Sequence, residues 1–230
     1  MTYLDSPTRV EIRPGEGGDD ACEFAGELVS ALSACVRRTG NQLRVSTSGR
    51  TTTLHITGEG AAHCAALAGT HRVQRIPVND RAGRRHTSSA TIAVLGEAEQ
   101  GRVTLDERDL RVDYYRGSGK GGQHRNTRDT AVRLVHGPTG ITVVVEQGRK
   151  REQNLGSARA ELVRRLGELN GAIRREEIND SRVAQIGPGT RGAKQWTWNY
   201  QRGDVVNHET GETYALGELV RGRFEAVVTR

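Results

Sequence analysis

Aromatic residues make up only 4% of this 230-residue chain and apolar residues 34%, so any core is lean. The length still suffices to bury one, in one large or two small domains. No stretch approaches about 18 consecutive apolar residues, which excludes a transmembrane helix and leaves no membrane role to assign. The start, Met1 to Pro7, lacks a basic end followed by an apolar run, so an ordinary secretory leader is not expected. Cys22, Cys35 and Cys64 are scattered and odd in number. That argues against a disulfide framework and for a reducing, cytoplasmic setting. No Cys-x-x-Cys is present, no Ser/His/Asp or Cys/His arrangement stands out, and no metal or cofactor is called for. Cys64, beside His63 and near His71, reads as a core cysteine next to surface histidine.

What is present is basic. Lys and Arg number 34 against 28 Asp and Glu, a net charge of +6. The excess is local. Nine Lys/Arg and three Asp/Glu lie between Arg111 and Arg151, which alone accounts for a net +6. A second cluster holds Arg72, Arg75, Arg81, Arg84 and Arg85 against only Asp80. Clustered cations of this kind suit a polyanion partner; a solvated face balanced by acids elsewhere is the alternative.

The hydrophobic spacing predicts an α+β chain. Val10 to Arg13 reads as a strand, and Pro14 to Asp20 as a turn into a helix. Ala21, Phe24, Ala25, Leu28, Leu32, Cys35 and Val36 recur at helical spacing up to Gly40. Leu43/Val45 and Leu54/Ile56 alternate as a strand pair turning near Gly49, and Thr87 to Leu95 reads as another strand. Leu110 to Tyr115 is a strand leading into a glycine-rich loop. Ala131–His136 and Ile141–Glu146 form a hairpin through Gly137-Pro-Thr-Gly140. Helical spacing then runs from Arg151 to Ile178, interrupted by Gly156, Gly167 and Gly171. Gln195 to Tyr200 and Val205-Val206 read as strands, and Leu216 to Val227 as a last helix.

The loop Arg116-Gly-Ser-Gly-Lys-Gly-Gly-Gln-His-Arg-Asn-Thr127 carries the most information. Four glycines in six residues forbid a stable helix or strand and permit positive φ. A phosphate-cradling P-loop fails, because Lys120 is followed by Gly121 and not by Ser or Thr. A dinucleotide fingerprint fails as well, because the residues after Asn126 run into a strand. A plain flexible surface loop remains open as a reading. Against it stand the flanking Arg116, Lys120, Arg125 and Arg128, and the Gln123 at the glycine end. Gln is no base, but it can position a water, and its backbone N–H can stabilise developing negative charge. Such a loop suits entry into a narrow site supplied by a partner.

Gly121-Gly122-Gln123 in this setting resembles the signature of class I bacterial peptide chain release factors. The surroundings match in order. Glu11-Ile-Arg-Pro-Gly-Glu-Gly-Gly-Asp-Asp20 resembles the start of the family's codon-reading domain. His71-Arg-Val-Gln-Arg-Ile-Pro77 and Gly83-Arg-Arg-His-Thr-Ser88 resemble its decoding segment. Thr130 to Ile141 resembles the hairpin after the loop, and Arg182 to Arg191 the return to the codon domain. The resemblance implies a codon-recognition-type α/β domain built from 1–105 plus 181–230, with an inserted β-sheet-plus-helix domain at 106–180. Segments around Asp106 and Asn179 are the candidate hinges between them.

It also implies roles. Gln123 would act in the peptidyl transferase centre of the ribosome, its backbone amide stabilising the transition state and its side chain shaping the water site. Gly121 and Gly122 would supply the backbone angles. Peptidyl-tRNA ester hydrolysis is expected there alone, with no free-standing hydrolase activity. Gln123 is also the position where family members are N5-methylated, which implies a glutamine methyltransferase as partner. Arg116, Lys120, Arg125 and Arg128 would hold ribosomal RNA phosphates. Gly17, Asp20, Gln74, Pro77, Val78, Asn79, His86 and Thr87 fall at codon-reading positions facing the mRNA stop codon.

Departures from the family pattern leave the exact task open. UAA/UAG-reading members carry Pro-x-Thr where this chain has Pro77-Val78-Asn79, and UGA-reading members carry Ser-Pro-Phe. Asp20 stands where Glu is expected. Family members also carry a helical domain ahead of the Glu11 segment, where here ten residues precede it, which implies a form lacking that domain. The readings are therefore stop-codon-directed release, release on stalled or damaged ribosomes with altered codon choice, or RNA binding without release. The intact Gly-Gly-Gln argues against the last.

Overall fold

The structure is a computed structural model, and it describes residues 8–58, 64–77, 80, 82–96, 103–117, 128–187, 190 and 192–228. The chain divides into two compact units, Met1–Ala98 with Glu177–Arg230, and Glu99–Glu176.

The first unit is built on an eight-stranded sheet. Its strands are β1 (Thr8–Pro14), β2 (Gln42–Ser48), β3 (Thr51–Thr57), β4 (Gly69–Arg75), β5 (His86–Leu95), β9 (Trp196–Asn199), β10 (Asp204–Asn207) and β11 (Thr213–Ala215). Their order is β11-β10-β9-β4-β5-β1-β3-β2. Every pairing is antiparallel except β4 with β9. Alternation along the strands sends Val10, Ile12, Leu54, Ile56, Ile92, Val73, Trp198 and Val205 to one buried cluster. Helix α1 (Asp19–Arg38) lays Phe24, Leu28, Leu32, Cys35 and Val36 onto it, as the helical spacing predicts. Asp19 and Asp20 occupy its first turn and Arg37 and Arg38 its last, both suited to the helix dipole.

The opposite face of this sheet is polar. Glu11 there pairs with Arg13 at 2.7 Å and receives two bonds from Arg182, at 2.9 and 3.0 Å. Burial opposes the Glu11 carboxylate charge, but the Arg182 bonds and charge outweigh it and hold its pKa below the usual value. Arg182 belongs to α2 (Arg151–Ile186), whose last turns also bind β5. Gln185 accepts from the Val94 N–H at 2.7 Å and donates to the Val94 carbonyl at 2.8 Å.

The second unit holds the sheet β6 (Leu110–Tyr115), β7 (Ala131–His136) and β8 (Thr142–Val145), preceded by a 3₁₀ turn at Glu107–Asp109. Asn154, Ala158, Leu162 and Leu166, four apart on α2, form its buried stripe. The last three pack on Val132, Leu134 and Val143. The helix runs unbroken through Gly156, Gly167 and Gly171 and continues past the expected end at Ile178. These glycines lie off the buried stripe, so they cost propensity but no packing.

The expected helix from Leu216 to Val227 is instead two short ones, α3 (Leu216–Val220) and α4 (Glu225–Val228). Gly222 breaks it with φ +75°, and a Cβ there would stand 2.4 Å from the Ala31 carbonyl oxygen. Close contact with α1 overrides local helical preference.

Cys64 lies in the first core, and so, against expectation, does His71, which is fully buried. His71 Nε2 donates to the Leu67 carbonyl at 2.8 Å, and its Nδ1 accepts from Trp198 Nε1 at 3.0 Å. Its ring stacks on Trp196 at 5.7 Å. Burial drives its pKa down to about 4 against an ordinary 6.5, the Leu67 bond opposing. The neutral ring is therefore what the fold accepts. Stability from this site is complete above about pH 6.5 and falls as the unfolded chain, but not the folded one, takes up the proton between 6.5 and 4. We expect a loss of about 3 kcal/mol over that window in urea unfolding, and a matching flattening of the pH profile in His71→Gln.

Candidate functional site

The turn from β1 into α1 is sewn to β5. Gly15 N–H donates to the Ser89 carbonyl at 2.8 Å, Ser89 N–H donates to the Glu16 carbonyl at 2.8 Å, and Glu16 N–H donates to Ser89 Oγ at 2.9 Å. Gly17 follows with φ +133°, and a Cβ there would lie 2.3 Å from Ser88 Oγ and 3.0 Å from Ser88 Cα. Only glycine meets both demands. Gly18, the N-cap of α1, offers no side chain to cap the first turn. Gly17, Gly18, Arg85, His86, Thr87 and Ser88 together line an open polar cleft of about 590 Å³. Three expected positions, Gly17, His86 and Thr87, thus meet at one place, although Gly17 and His86 are 69 positions apart in the sequence.

Gln74 is the direct cross-strand partner of Thr87, and Arg75 that of His86. Pro77 is buried just beyond β4. Arg75 is buried among acids. Its Nε donates to Asp20 Oδ1 at 2.7 Å, another nitrogen donates to Glu27, and Glu23 lies 3.5 Å from a third. Its guanidinium sits 5.4 Å from the Tyr200 ring, and Tyr200 donates its hydroxyl to Glu27. Burial disfavours the Arg75 charge, but Glu27 and Asp20 outweigh this and raise its pKa. Burial and the Glu27 bond push the Tyr200 hydroxyl up as well. The structure therefore directs Asp20 toward Arg75; its other oxygen, Oδ2, is buried with no hydrogen-bond partner among the described residues.

The segment before β5 is organised by Asp80. Its carboxylate accepts from Ala82 N–H at 2.9 Å, Arg84 N–H at 3.2 Å and His86 Nε2 at 2.9 Å. The Ala82 bond, then Arg84 and His86, hold its pKa down to about 2. Asp80 thereby tethers the His86 imidazole at the cleft. Sequence reasoning counted Asp80 only as an isolated acid among arginines. The available signal was a turn-forming Asp with Gly83 three residues on. Arg85, Gly18 and Ser88 were also missed as lining residues. Val78 and Asn79 lie outside the described residues.

In the second unit the base of the glycine-rich loop is well anchored. Tyr115 pairs with Ala131 across β6 and β7 and donates its hydroxyl to Glu146 at 2.7 Å. Asn154 Nδ2 donates to the Thr130 carbonyl at 2.7 Å, and Arg151 Nε to the Asp129 carbonyl at 3.2 Å. Arg116 lies 3.5 Å from Asp129, and Arg128 is exposed. Lys120, Gly121, Gly122, Gln123 and Arg125 lie outside the described residues. Among the described residues no group of three His, Cys, Asp or Glu side chains is placed to hold a metal ion, and no helix is long and apolar enough to cross a membrane.

Comparison with known proteins accounts for both units. Residues 3–92 match the PCRF domain and residues 97–209 the RF-1 domain. The chain is 37% identical over 228 residues to peptide chain release factor 1 of Acetivibrio thermocellus, covering 95% of this chain and 63% of that protein. To peptide chain release factor 1 of Paracoccus denitrificans it is 39% identical over 231 residues, covering 96% and 66%. It spans just under two thirds of the length of these relatives. Among solved structures, RF2 of Thermus thermophilus superposes with a TM-score of 0.57 at 33% identity, covering 99% of this chain and 68% of that one. With both domain matches in order along the chain and this identity over nearly its whole length, the protein belongs to the class I peptide chain release factor family.

Proposed function

We propose that this protein promotes peptide release on the ribosome, reading the A-site codon with the cleft unit and delivering Gly121-Gly122-Gln123 to the peptidyl transferase centre. The observation that carries the reading is the convergence of Gly17, His86 and Thr87 on one polar cleft, in a chain whose separate second unit bears the Gly-Gly-Gln loop. Water would attack the ester carbonyl of peptidyl-tRNA. The carbonyl-to-ribose bond would break, and the proton would pass to the ribose oxygen. Gln123 would supply a backbone N–H to the developing negative charge and a side chain that admits water. The cationic flank of Arg116, Lys120, Arg125 and Arg128 would hold ribosomal RNA phosphates, which makes binding salt-dependent. The ribosome is cytoplasmic, so this reading places the protein there. Gln123 is also the proposed acceptor of N5-methylation by a glutamine methyltransferase.

In the cleft, His86 offers a flat ring held by Asp80 for stacking on a base, and Thr87 offers a hydroxyl, with the amide of its cross-strand partner Gln74 beside it. A second reading has a specific support: Asn79 replaces the expected threonine and the shorter Asp20 is bound by Arg75, which favours altered codon choice, as in rescue of stalled ribosomes.

The decisive measurement is nascent peptide freed from ribosome complexes bearing UAA, UAG, UGA, a sense codon or an empty A site. Release confined to stop codons supports termination. Equal release on all of them rejects codon reading, and release on none rejects the function. Gln123→Pro, which removes the backbone N–H, is expected to abolish release while ribosome binding survives; Gln123→Ala is milder. Gly17→Ala, which drives a methyl into Ser88, should lower codon-directed release by about tenfold or more, read as kcat/KM on the preferred codon.

A further inference from the structure

A second cationic group stands on the polar face of the eight-stranded sheet, apart from the cleft. Arg72 on β4 donates to Thr197 Oγ1 on β9 at 3.1 Å, and the same hydroxyl lies 2.8 Å from His208 Nε2 just past β10. Lys194 precedes Gln195, whose carbonyl accepts from the His208 N–H at 2.7 Å, so Lys194 and His208 are held side by side. Burial, then Lys194 and Arg72, depress the His208 pKa, so the groups that bear on this ring are cations. Among the described residues no carboxylate pairs with Arg72, Lys194 or His208. The Nε of Arg72 is buried and has no hydrogen-bond partner among the described residues. Two fixed cations, Arg72 and Lys194, thus bear on one imidazole that their charges hold toward its neutral form. With a buried Arg72 donor left spare, an anion placed here would relieve that like-charge meeting and take up the donor.

Position narrows the anion. Arg72 and Thr197 are register partners, and two residues further along the same strands Gln74 partners both Asn199 and Thr87. Residues two apart on a strand share a face and lie about 7 Å from each other. The cationic group therefore sits one step from Gln74 and Thr87 on the same surface, a spacing suited to the backbone of a nucleotide strand whose base is read there.

We propose that Arg72 and His208, joined by the Thr197 hydroxyl, form with the neighbouring Lys194 a phosphate site, and that its occupant is a backbone phosphodiester of the RNA strand read at Gln74 and Thr87. This rests on the codon-facing reading of those two residues. It adds a contact that carries affinity and register but no base identity.

The 230-residue chain is titrated with inorganic phosphate while the histidine ring resonances are followed by NMR, and then with a short single-stranded RNA containing UAA by fluorescence anisotropy at several salt concentrations. Phosphate should move the His208 resonances saturably and leave those of exposed His55 in place. The double variant K194Q/H208Q should bind the RNA about tenfold more weakly. Its slope of log affinity against log salt should be shallower by about 0.7, one phosphate contact on a single strand. Arg72→Lys should retain most of the affinity. If phosphate shifts His208 but the double variant leaves RNA affinity and salt slope unchanged, the site takes a free anion and the RNA assignment is overturned. If phosphate leaves His208 unmoved and the double variant binds RNA as the wild type does, the site itself is overturned. These readouts do not depend on peptide release, so failure of the release assay with intact His208 shifts would reject the release function and not the phosphate site.

Discussion

The meeting of the Gly15–Gly18 turn with Ser88 and Ser89 is the constraint on which the first unit depends. Three hydrogen bonds and a contact too tight for any Cβ bring the start of α1 against the middle of the sheet. That single approach fixes where the helix begins, which strand ends face it, and therefore where a cleft can open. Had Gly17 carried a side chain, α1 would have to stand off from β5, and His86 and Thr87 would no longer look onto a helix terminus. Arg75 works in the same place from below. By gathering Asp20, Glu23, Glu27 and Tyr200 it ties α1 to β4 and to the end of β9 through charge. Such a buried group gains little net stability, because desolvation opposes the attraction, but it admits few alternative arrangements.

Much of this was legible in the chain because the signals were local. Helical spacing located α1, the Gly137–Gly140 turn located the β7–β8 hairpin, a run rich in Thr, Ser, Ile and Val located β5, and alternation located β9. The Gly-Gly-Gln loop with its cations pointed to the family before any coordinates. What stayed hidden was non-local. The parallel pairing of β4 with β9 joins residues more than a hundred positions apart, and neither strand carries a mark of its partner. Likewise α2 persists through three glycines because its buried stripe, not its propensity, decides. Asp20 read as a codon-facing acid, and its bond to Arg75 needed the fold to be seen. The burial of His71 depended on two tryptophans far along the chain.

Charge is placed with the same economy on the two faces of the sheet. On the helix side the acids of α1 surround a single arginine. On the other side Glu11 is enclosed by Arg9, Arg13 and Arg182, while Arg72 and Lys194 bear on the His208 ring with no carboxylate between them among the described residues. The net positive charge of the sequence is thus resolved into neutralised clusters and a remainder. It is the remainder that a polyanion can use.

The strand order has a consequence for the nascent chain. As residues emerge in order, β1 to β5 can pair among themselves, and β4 is then the outermost strand of an unfinished sheet. Its outer row of N–H and C=O groups stays open until β9 has been synthesised, more than a hundred residues later. An open row of this kind invites pairing with other chains. Arg72 lies on that strand facing away from α1, and its charge disfavours two such edges meeting before Trp196–Asn199 arrives to close it.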